Sequence, residues 1–190
     1  HNLYAKWEKT AADPFKLEGQ GLVEGEDYRY NEDYTLEILS DKNVTIKNAD
    51  LNDATYWNIE VKSKANITLD GVNIESNYDA PLKIEDNATF DVNITLADGS
   101  VNVLKSLYYD YSALQKGDDG SVDINDLGTL TINGNGKLEA TGYINEETGV
   151  IESVGIGAGD SARNLSKIKI TGGEIIANGG ISSFVDGNAT

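Results

Sequence analysis

Residues 66–74 read Asn-Ile-Thr-Leu-Asp-Gly-Val-Asn-Ile, and residues 93–103 read Asn-Ile-Thr-Leu-Ala-Asp-Gly-Ser-Val-Asn-Val. Both stretches alternate apolar and polar residues, which is typical of short strands with one buried face. Asp, Gly and Ser interrupt the alternation, and these residues favour a tight turn. The same strand–turn–strand pattern starts again at Asn43, Thr129 and Lys167. The pattern therefore predicts a chain built from internal repeats.

The repeats are unequal in length, as the coils of a solenoid are when loops are inserted between strands. Steps of 23, 27, 36 and 38 residues separate the first inward-facing positions of the five repeats. These positions are Val44, Ile67, Ile94, Leu130 and Ile168. The same alignment places four threonines in one outward-facing column, namely Thr45, Thr68, Thr95 and Thr131.

Each repeat offers three strand signals, which is typical of a triangular parallel β-helix. The third signal is Leu51 in the first repeat, and Val101 with Val103 in the third repeat. Because crossovers between parallel strands are almost always right-handed, we expect an all-β fold, a right-handed parallel β-helix (solenoid) of about five to six coils. An antiparallel β-sandwich is the alternative, since frequent turn signals also suit it. A sandwich, however, does not require that the strand–turn–strand pattern recur along the sequence.

The two ends of the chain differ from the repeats. Residues 1–8 are interpreted as the closing strand of a preceding domain and residues 9–14 as a linker. The Gly-, Glu- and Tyr-rich residues 15–37 are interpreted as an N-terminal cap and entry strand, and residues 38–190 as the β-helix coils. Because the ends of a solenoid need caps, and the last repeat shows none, we expect the coils to be truncated at the C-terminus.

Two resemblances to known families support this organisation. Residues 1–7, His-Asn-Leu-Tyr-Ala-Lys-Trp, resemble the end of an internalin-type B-repeat (the Listeria–Bacteroides repeat). Residues 93–106, 128–142 and 168–180, within a resemblance that covers most of 34–180, are similar to clostridial-type surface proteins described as carbohydrate-binding-domain or parallel β-helix proteins. The resemblance implies a bacterial protein that is extracellular, attached to the cell surface or cell wall, with polysaccharide as its ligand. Some members of this group are thought to bind calcium.

The composition excludes several functional classes. There are 32 Asp and Glu against 15 Lys and Arg, for a net charge of −17, so the basic surface of a nucleic-acid binder is missing. The chain has no Cys and one His, which excludes disulfides, thiolate metal sites and a His-based catalytic triad. No apolar run approaches the roughly 20 residues that span a bilayer. We therefore expect neither nucleic-acid partners nor membrane insertion.

Aromatic residues lie mainly outside the inward-facing positions. Sugar rings pack their C–H faces on aromatic faces, and tyrosine adds a hydroxyl group at low entropic cost. Stacked coils would bring these side chains together on one side, although the alternative is that they only shield the bases of the loops. The candidate carbohydrate-binding residues are Tyr56, Trp57, Tyr78, Tyr108, Tyr109 and Tyr111.

The acidic segment 115–126 is a candidate calcium site. Aligned with an EF-hand loop through Gly120, it lacks carboxylates at the first and third positions, so only a looser calcium site is expected. A solvated acidic loop without metal is the alternative. The candidate ligands are Asp118, Asp119, Asp123 and Asp126. We expect that no cofactor is required and that Ca²⁺ is optional.

The aromatic set and the family resemblance together favour a non-catalytic bacterial cell-surface module that binds polysaccharide or glycan, with Ca²⁺ as an optional aid. A host or neighbouring-cell surface is a further candidate partner. A structural stalk or adhesin segment of a larger surface protein is the alternative function. A polysaccharide lyase is the third hypothesis, and it requires a Lys within reach of clustered Asp residues on one outward face. We assign no catalytic residues and expect that the protein is not an enzyme.

Overall fold

A computed structural model describes residues 13–117, 121–159 and 166–182. Within these ranges the chain forms short β-strands joined by turns, and no helix that is long and apolar enough to cross a membrane. The strands are β1 (Phe15–Glu18), β2 (Tyr28–Tyr30), β3 (Thr35–Ile38), β4 (Asn43–Asn48), β5 (Asn58–Val61), β6 (Ala65–Leu69), β7 (Asn73–Ser76), β8 (Leu82–Ile84), β9 (Val92–Leu96), β10 (Val101–Ser106), β11 (Leu114–Lys116), β12 (Thr129–Gly134), β13 (Lys137–Thr141), β14 (Ile156–Gly157), β15 (Lys167–Ile170) and β16 (Glu174–Asn178).

The strands form three sheets. Sheet 1 contains β1, β4, β6, β9, β12 and β15 in spatial order, sheet 2 contains β2, β3, β5, β8, β11 and β14, and sheet 3 contains β7, β10, β13 and β16. From β5 onward the chain passes through sheets 2, 1 and 3 in turn, and we call one such passage a round. Strands from successive rounds pair in parallel. The prediction of an all-β fold with parallel strands is confirmed. The closed, right-handed helix stays a prediction.

The register of the parallel pairs places apolar side chains from successive rounds over one another. One column in sheet 2 consists of Leu36, Ile59, Leu82, Leu114 and Ile156, and all five side chains are fully buried. Neighbouring strands lie about 4.8 Å apart, so adjacent side chains in the column pack against each other. The inner faces of all three sheets contribute to one hydrophobic core.

The register of β12 corrects the alignment of the repeats. Ile94 in β9 pairs with Ile132 rather than with Leu130, so the predicted column is wrong by two residues at this point. Thr95 consequently lies beside Asn133, and its hydroxyl donates a hydrogen bond of 3.0 Å to the Asn133 side chain. A shift of two residues keeps the same face of a strand inward. Alternation of apolar and polar residues therefore could not reveal it.

In β10 the predicted direction of the side chains is reversed. Val101 is 53% exposed, whereas Asn102 is fully buried. The side-chain oxygen of Asn102 accepts hydrogen bonds of 3.0 Å from the amides of Gly71 and Val72. Its side-chain nitrogen donates to the carbonyl of Lys137 at 3.1 Å. These bonds offset the cost of burying the polar side chain.

The prediction of a third strand at Leu51 in the first repeat is also wrong. Leu51, predicted to face inward, is 73% exposed and lies in a bend. Thr55 occupies the corresponding place in the sheet, where it forms an isolated parallel bridge with Ile74. The first round therefore reaches the region of sheet 3 with a single bridge rather than a strand.

The N-terminal segment pairs differently from the repeats. β1 runs antiparallel to β4, and β2 runs antiparallel to β3, so both strands lie at the edge of the first round. This segment falls within the predicted cap and entry strand at residues 15–37, whose boundaries stay a prediction. The predicted B-repeat strand at residues 1–8 and most of the linker at 9–14 lie outside the described residues.

Replacing Asn102 tests the reversed direction of β10. We expect Asn102→Ala to lower the free energy of unfolding by about 1–3 kcal/mol, because it leaves buried backbone groups without hydrogen-bond partners. The matched control is Val101→Ala, which alters an exposed side chain and should change stability by less than about 0.5 kcal/mol. Urea denaturation of both variants provides the measurement. A larger effect at Val101 than at Asn102 would contradict the assignment.

Asp27 connects the N-terminal segment to the first repeat. The Lys42 ammonium donates to its carboxylate at 2.7 Å, and the amide of Val23 donates to the same oxygen at 2.8 Å. Side-chain hydrogen bonds from Lys42 and then Ser40 lower the pKa of Asp27 from 3.8 to about 2. The carboxylate is therefore more acidic in the folded chain than in the unfolded chain.

The lowered pKa makes stability depend on pH in acid. The ionised Asp27 stabilises the folded state fully above its ordinary pKa of 3.8, and this contribution disappears as the pH falls through the folded value. We expect Asp27→Asn to lower the urea midpoint near neutral pH. The difference from the unmodified chain should shrink as the pH is lowered toward 2. A difference that stays constant over this range would show that the charge of Asp27 is not responsible.

Candidate functional site

Five loops enter sheet 2 side by side, immediately before β3, β5, β8, β11 and β14. Backbone hydrogen bonds join the ends of neighbouring loops: the amide of Asn58 donates to the carbonyl of Tyr34 at 3.0 Å, and the amide of Ile59 donates to that of Pro81 at 3.0 Å. The same kind of bond joins the remaining loops, and in the last one the amide of Leu114 donates to the carbonyl of Gly155, before β14. We name the aromatic side chains of these loops the aromatic edge: Tyr34, Tyr56, Trp57, Tyr78, Tyr108, Tyr109, Tyr111 and Tyr143.

Tyr34 is the centre of the first cluster on the aromatic edge. Its ring centroid lies 5.1 Å from that of Tyr56, 5.5 Å from that of Trp57 and 6.2 Å from that of Tyr78. Tyr34, Tyr56 and Tyr78 are 42%, 51% and 61% exposed. Trp57 is half-buried and packs against the hydrophobic core. The first cluster therefore presents three tyrosines to solvent, and Trp57 connects the cluster to the core.

The second cluster contains the other three predicted tyrosines. The ring centroids of Tyr108 and Tyr109 lie 4.6 Å apart, and those of Tyr108 and Tyr111 lie 5.8 Å apart. Tyr143, from the loop before β14, approaches Tyr109 at 6.5 Å. Tyr108 and Tyr109 are 39% and 47% exposed, so this cluster also presents aromatic surface to solvent.

Hydrogen bonds and charges connect Tyr111 with the loops on either side of it. The hydroxyl of Ser153 donates to the carbonyl of Tyr111 at 2.8 Å and accepts from the amide of Tyr143 at 2.7 Å. On the other side, Asp79 follows Tyr78 in sequence. Burial raises the pKa of Tyr111, and the nearby negative charge of Asp79 adds to this shift. Tyr111 thus lies between the loop of Tyr78 and the loop of Tyr143.

Sequence reasoning missed Tyr34 and Tyr143. Tyr34 stands 23 residues before Trp57, which is the step between the first two repeats, so extending the repeat backwards would have found it. Its backbone has a φ of 64°, a conformation that a bulky residue adopts only when its surroundings enforce it. No sequence signal identifies Tyr143, because the loop that carries it is an insertion.

A cleft of about 780 Å³ adjoins the second cluster. Leu107, Tyr143 and Ile144 supply apolar surface to it. Lys105, Glu146 and Glu147 supply charges. A mixed lining of this kind suits a ligand with apolar faces and many hydroxyl groups. The cleft therefore continues the aromatic edge at the β14 end.

The predicted calcium ligands are only partly described. Asp118 and Asp119 lie outside the described residues. The carboxylate of Asp123 accepts hydrogen bonds of 2.8 Å from the backbone amide and the side-chain amide of Asn125, and the amide of Asp126 donates to the carbonyl of Asp123. Among the described residues, no three His, Cys, Asp or Glu side chains are grouped to hold a metal ion. The calcium site stays a prediction.

Lys83 stands where the lyase hypothesis requires a lysine. Its ammonium lies 3.8 Å from the carboxylate of Asp79 and 3.2 Å from that of Asp86. Burial lowers the pKa of Lys83, but the negative charges of Asp79 and Asp86 outweigh this effect and raise it overall. The side chain therefore keeps its proton at neutral pH and is poorly suited to act as a general base.

Comparison with known proteins identifies the family of the chain. Residues 41–176 match the family of carbohydrate-binding domain-containing proteins. Because the match covers more than half of the chain, the protein belongs to this family. No curated protein and no solved structure matches the chain.

Two alanine substitutions separate the structural aromatic residue from the surface ones. We expect Trp57→Ala to destabilise the fold by about 3 kcal/mol, because it removes a large side chain that packs on the core. Tyr78→Ala should change stability by less than about 1 kcal/mol, since the ring is mostly exposed. Thermal unfolding of the two variants measures the difference. Equal losses would mean that the rings of the first cluster form one structural unit.

Proposed function

We propose that the chain is a non-catalytic module that binds carbohydrate through the aromatic edge. The observation that carries this proposal is the gathering of exposed tyrosines from separate rounds into two clusters on one edge of sheet 2. Tyrosine rings offer faces on which the C–H groups of a sugar pack, and their hydroxyls bond to sugar hydroxyls. Membership of a carbohydrate-binding domain family supports the same conclusion.

The absence of catalytic activity is part of this proposal. Lys83, which lies beside two Asp carboxylates as the lyase hypothesis requires, is held in its protonated form by these neighbours. A protonated lysine can donate to a sugar hydroxyl or an acidic group but cannot remove a proton. Binding without bond cleavage is therefore the function that the surface supports best.

We also propose that the three sheets are the sides of a right-handed parallel β-helix. The regular succession of sheets 2, 1 and 3 and the parallel pairing of successive rounds support this arrangement. The strong right-handed preference of parallel crossovers supports the hand. In such a solenoid, all loops that enter sheet 2 fall on one corner, which explains how insertions of different lengths supply one binding edge.

The setting of the protein is a proposal that rests on sequence resemblance. We propose that the chain is part of a larger bacterial protein at the cell surface or cell wall, where its glycan belongs to a host or to a neighbouring cell. A stalk or adhesin segment is the second candidate function. The regular stack of hydrogen-bonded strands favours it, because repeated stacking builds extended rigid modules.

The binding proposal is tested with the double variant Tyr56→Ala/Tyr78→Ala. We expect it to lose at least about tenfold in affinity for the glycans that the unmodified chain binds, a loss of about 1.4 kcal/mol. Isothermal titration against neutral, acidic and basic polysaccharides provides the measurement. Val101→Ala, in sheet 3, is the control and should bind normally.

The same experiment distinguishes the alternatives. Binding to none of the polysaccharides would exclude the proposed function and leave the stalk or adhesin hypothesis. Release of reducing or unsaturated sugar ends would show that the protein is an enzyme. Repeating the titration with and without a calcium chelator tests the Ca²⁺ prediction, which requires that the chelator weaken binding.

A further inference from the structure

We propose that the hairpin at residues 143–152 is a second binding surface, which takes an extended segment of another protein that carries aliphatic and basic side chains. This inference goes beyond the carbohydrate-binding function and does not rest on it. Three observations carry it: an insertion that adds nothing to the core, a group of exposed aliphatic side chains, and acidic side chains beside them.

The hairpin is an insertion that the fold does not require. Residues 77–81 are sufficient to connect β7 of sheet 3 with β8 of sheet 2, whereas residues 142–155 make the equivalent connection from β13 to β14. The hydrophobic core of the described residues contains no side chain from 143–152. The insertion therefore contributes surface rather than core.

Hydrogen bonds hold the hairpin in a defined conformation. The amide of Asn145 donates to the carbonyl of Val150 at 2.8 Å, and the amide of Glu152 donates to the carbonyl of Tyr143 at 2.9 Å. At the base, the amide of Tyr143 donates to the hydroxyl of Ser153 at 2.7 Å. A surface that is already ordered loses less conformational entropy when a partner binds.

Aliphatic side chains are exposed along the hairpin and beside it. Ile144, Val150 and Ile151 are 37%, 55% and 39% exposed. Ile144 and Ile151 lie directly opposite each other, so their side chains share one face of the hairpin. Leu107 is also exposed and lines the cleft of about 780 Å³ together with Ile144. A group of exposed apolar side chains marks a contact with another protein, and branched aliphatic side chains lack the flat face and the hydroxyl that tyrosine offers a sugar.

The backbone of Ile144 favours an extended partner. The hydrogen bonds of the hairpin join the residues on either side of the Ile144–Ile151 pair, which makes it a non-hydrogen-bonded pair of an antiparallel ribbon. The amide and the carbonyl of a residue in such a pair point outward, toward the edge of the ribbon. An extended segment can form backbone hydrogen bonds with this edge while alternate side chains enter a pocket. The cleft that Ile144 lines supplies the pocket.

The charges beside the aliphatic side chains select a basic partner. Glu146 and Glu147 are exposed and line the same cleft. Lys105 lines it too, but its ammonium lies 3.7 Å from the carboxylate of Glu75 and is thus already paired. An apolar centre with a polar rim is the usual arrangement of a protein interface. Acidic groups on the rim attract Lys and Arg side chains of the partner.

A second copy of the chain does not have this complementary charge. Association through the hairpins would bring Glu146 and Glu147 of the two copies together, and each copy has a net charge of −17. Like charges that face each other across an interface oppose association. The occupant is therefore a different protein.

Three synthetic peptides of about ten residues test the inference. Leu and Lys alternate in the first, Leu and Glu in the second, and Ser and Lys in the third. Fluorescence anisotropy at physiological salt measures their binding to the unmodified chain. We expect the Leu–Lys peptide to bind at least about tenfold more tightly than either of the others, because it alone matches both the aliphatic and the acidic side chains. A Leu–Lys peptide that does not bind, or binds no more tightly than either of the others, would overturn the inference.

Matched variants locate the binding. Ile144→Ser/Ile151→Ser should weaken the binding of the Leu–Lys peptide at least about fivefold, whereas Val101→Ser, at an exposed position of sheet 3, should have little effect. Glu146→Gln/Glu147→Gln should weaken it several-fold more than Glu24→Gln/Glu26→Gln, which removes the same charge from exposed positions of the N-terminal segment. Equal effects of the two charge variants would show attraction by net charge alone and contradict the inference. Thermal unfolding verifies folding, and the charge variants decide the question if the isoleucine variant is unfolded.

Sedimentation velocity tests the alternative occupant. We expect the unmodified chain and the Ile144→Ser/Ile151→Ser variant to sediment alike. A dimer that this variant dissociates would assign the hairpin to association between copies and overturn the inference. Since these experiments contain no glycan, their failure leaves the proposed carbohydrate-binding function standing.

Discussion

Parallel backbone hydrogen bonds between one round of the chain and the next hold together strands of two to six residues. Strands this short are not stable by themselves, because a narrow pair of strands buries too little apolar surface. Pairing in register stacks their inward-facing side chains into columns such as Leu36, Ile59 and Leu82, which are fully buried. Each round therefore depends on its neighbours both for hydrogen bonds and for its core.

Buried polar side chains complete this arrangement where the chain turns between sheets. Asn102 bonds to backbone groups before β7 and at the start of β13. Asn48 accepts a hydrogen bond from the amide of Asn73 and donates to its carbonyl. Turns leave backbone amides and carbonyls without partners in the strands, and burying them unpaired is costly. Asparagine satisfies a donor and an acceptor at once, which is why amides replace apolar residues at these buried positions.

The stacking of rounds also creates the surface on which the proposed function depends. The loops before sheet 2 differ greatly in length, yet each must start its strand beside the previous one. Their backbones are consequently joined by hydrogen bonds where each strand starts, and the strained backbone of Tyr34 is maintained by the hydrogen bond that its carbonyl accepts from Asn58. The acidic residues that give the chain its net charge of −17 lie partly in these same loops. They surround the rings with hydrogen-bond acceptors and with negative potential.

The sequence by itself determined the all-β class, the parallel repeats and the loops that carry most of the aromatic side chains. These properties follow from alternation and from turn residues, which act within a few positions along the chain. Only the tertiary structure decided the pairing of Ile94 with Ile132, the outward direction of Val101 and the place of Tyr34 and Tyr143 on the edge. A shift of two residues preserves the inward face, so alternation could not reveal the pairing of Ile94. The reversal at Val101 depends on the hydrogen bonds that Asn102 accepts from Gly71 and Val72 in the preceding round. The choice among such registers, and the neighbours of each loop, depend on contacts between residues far apart in the chain.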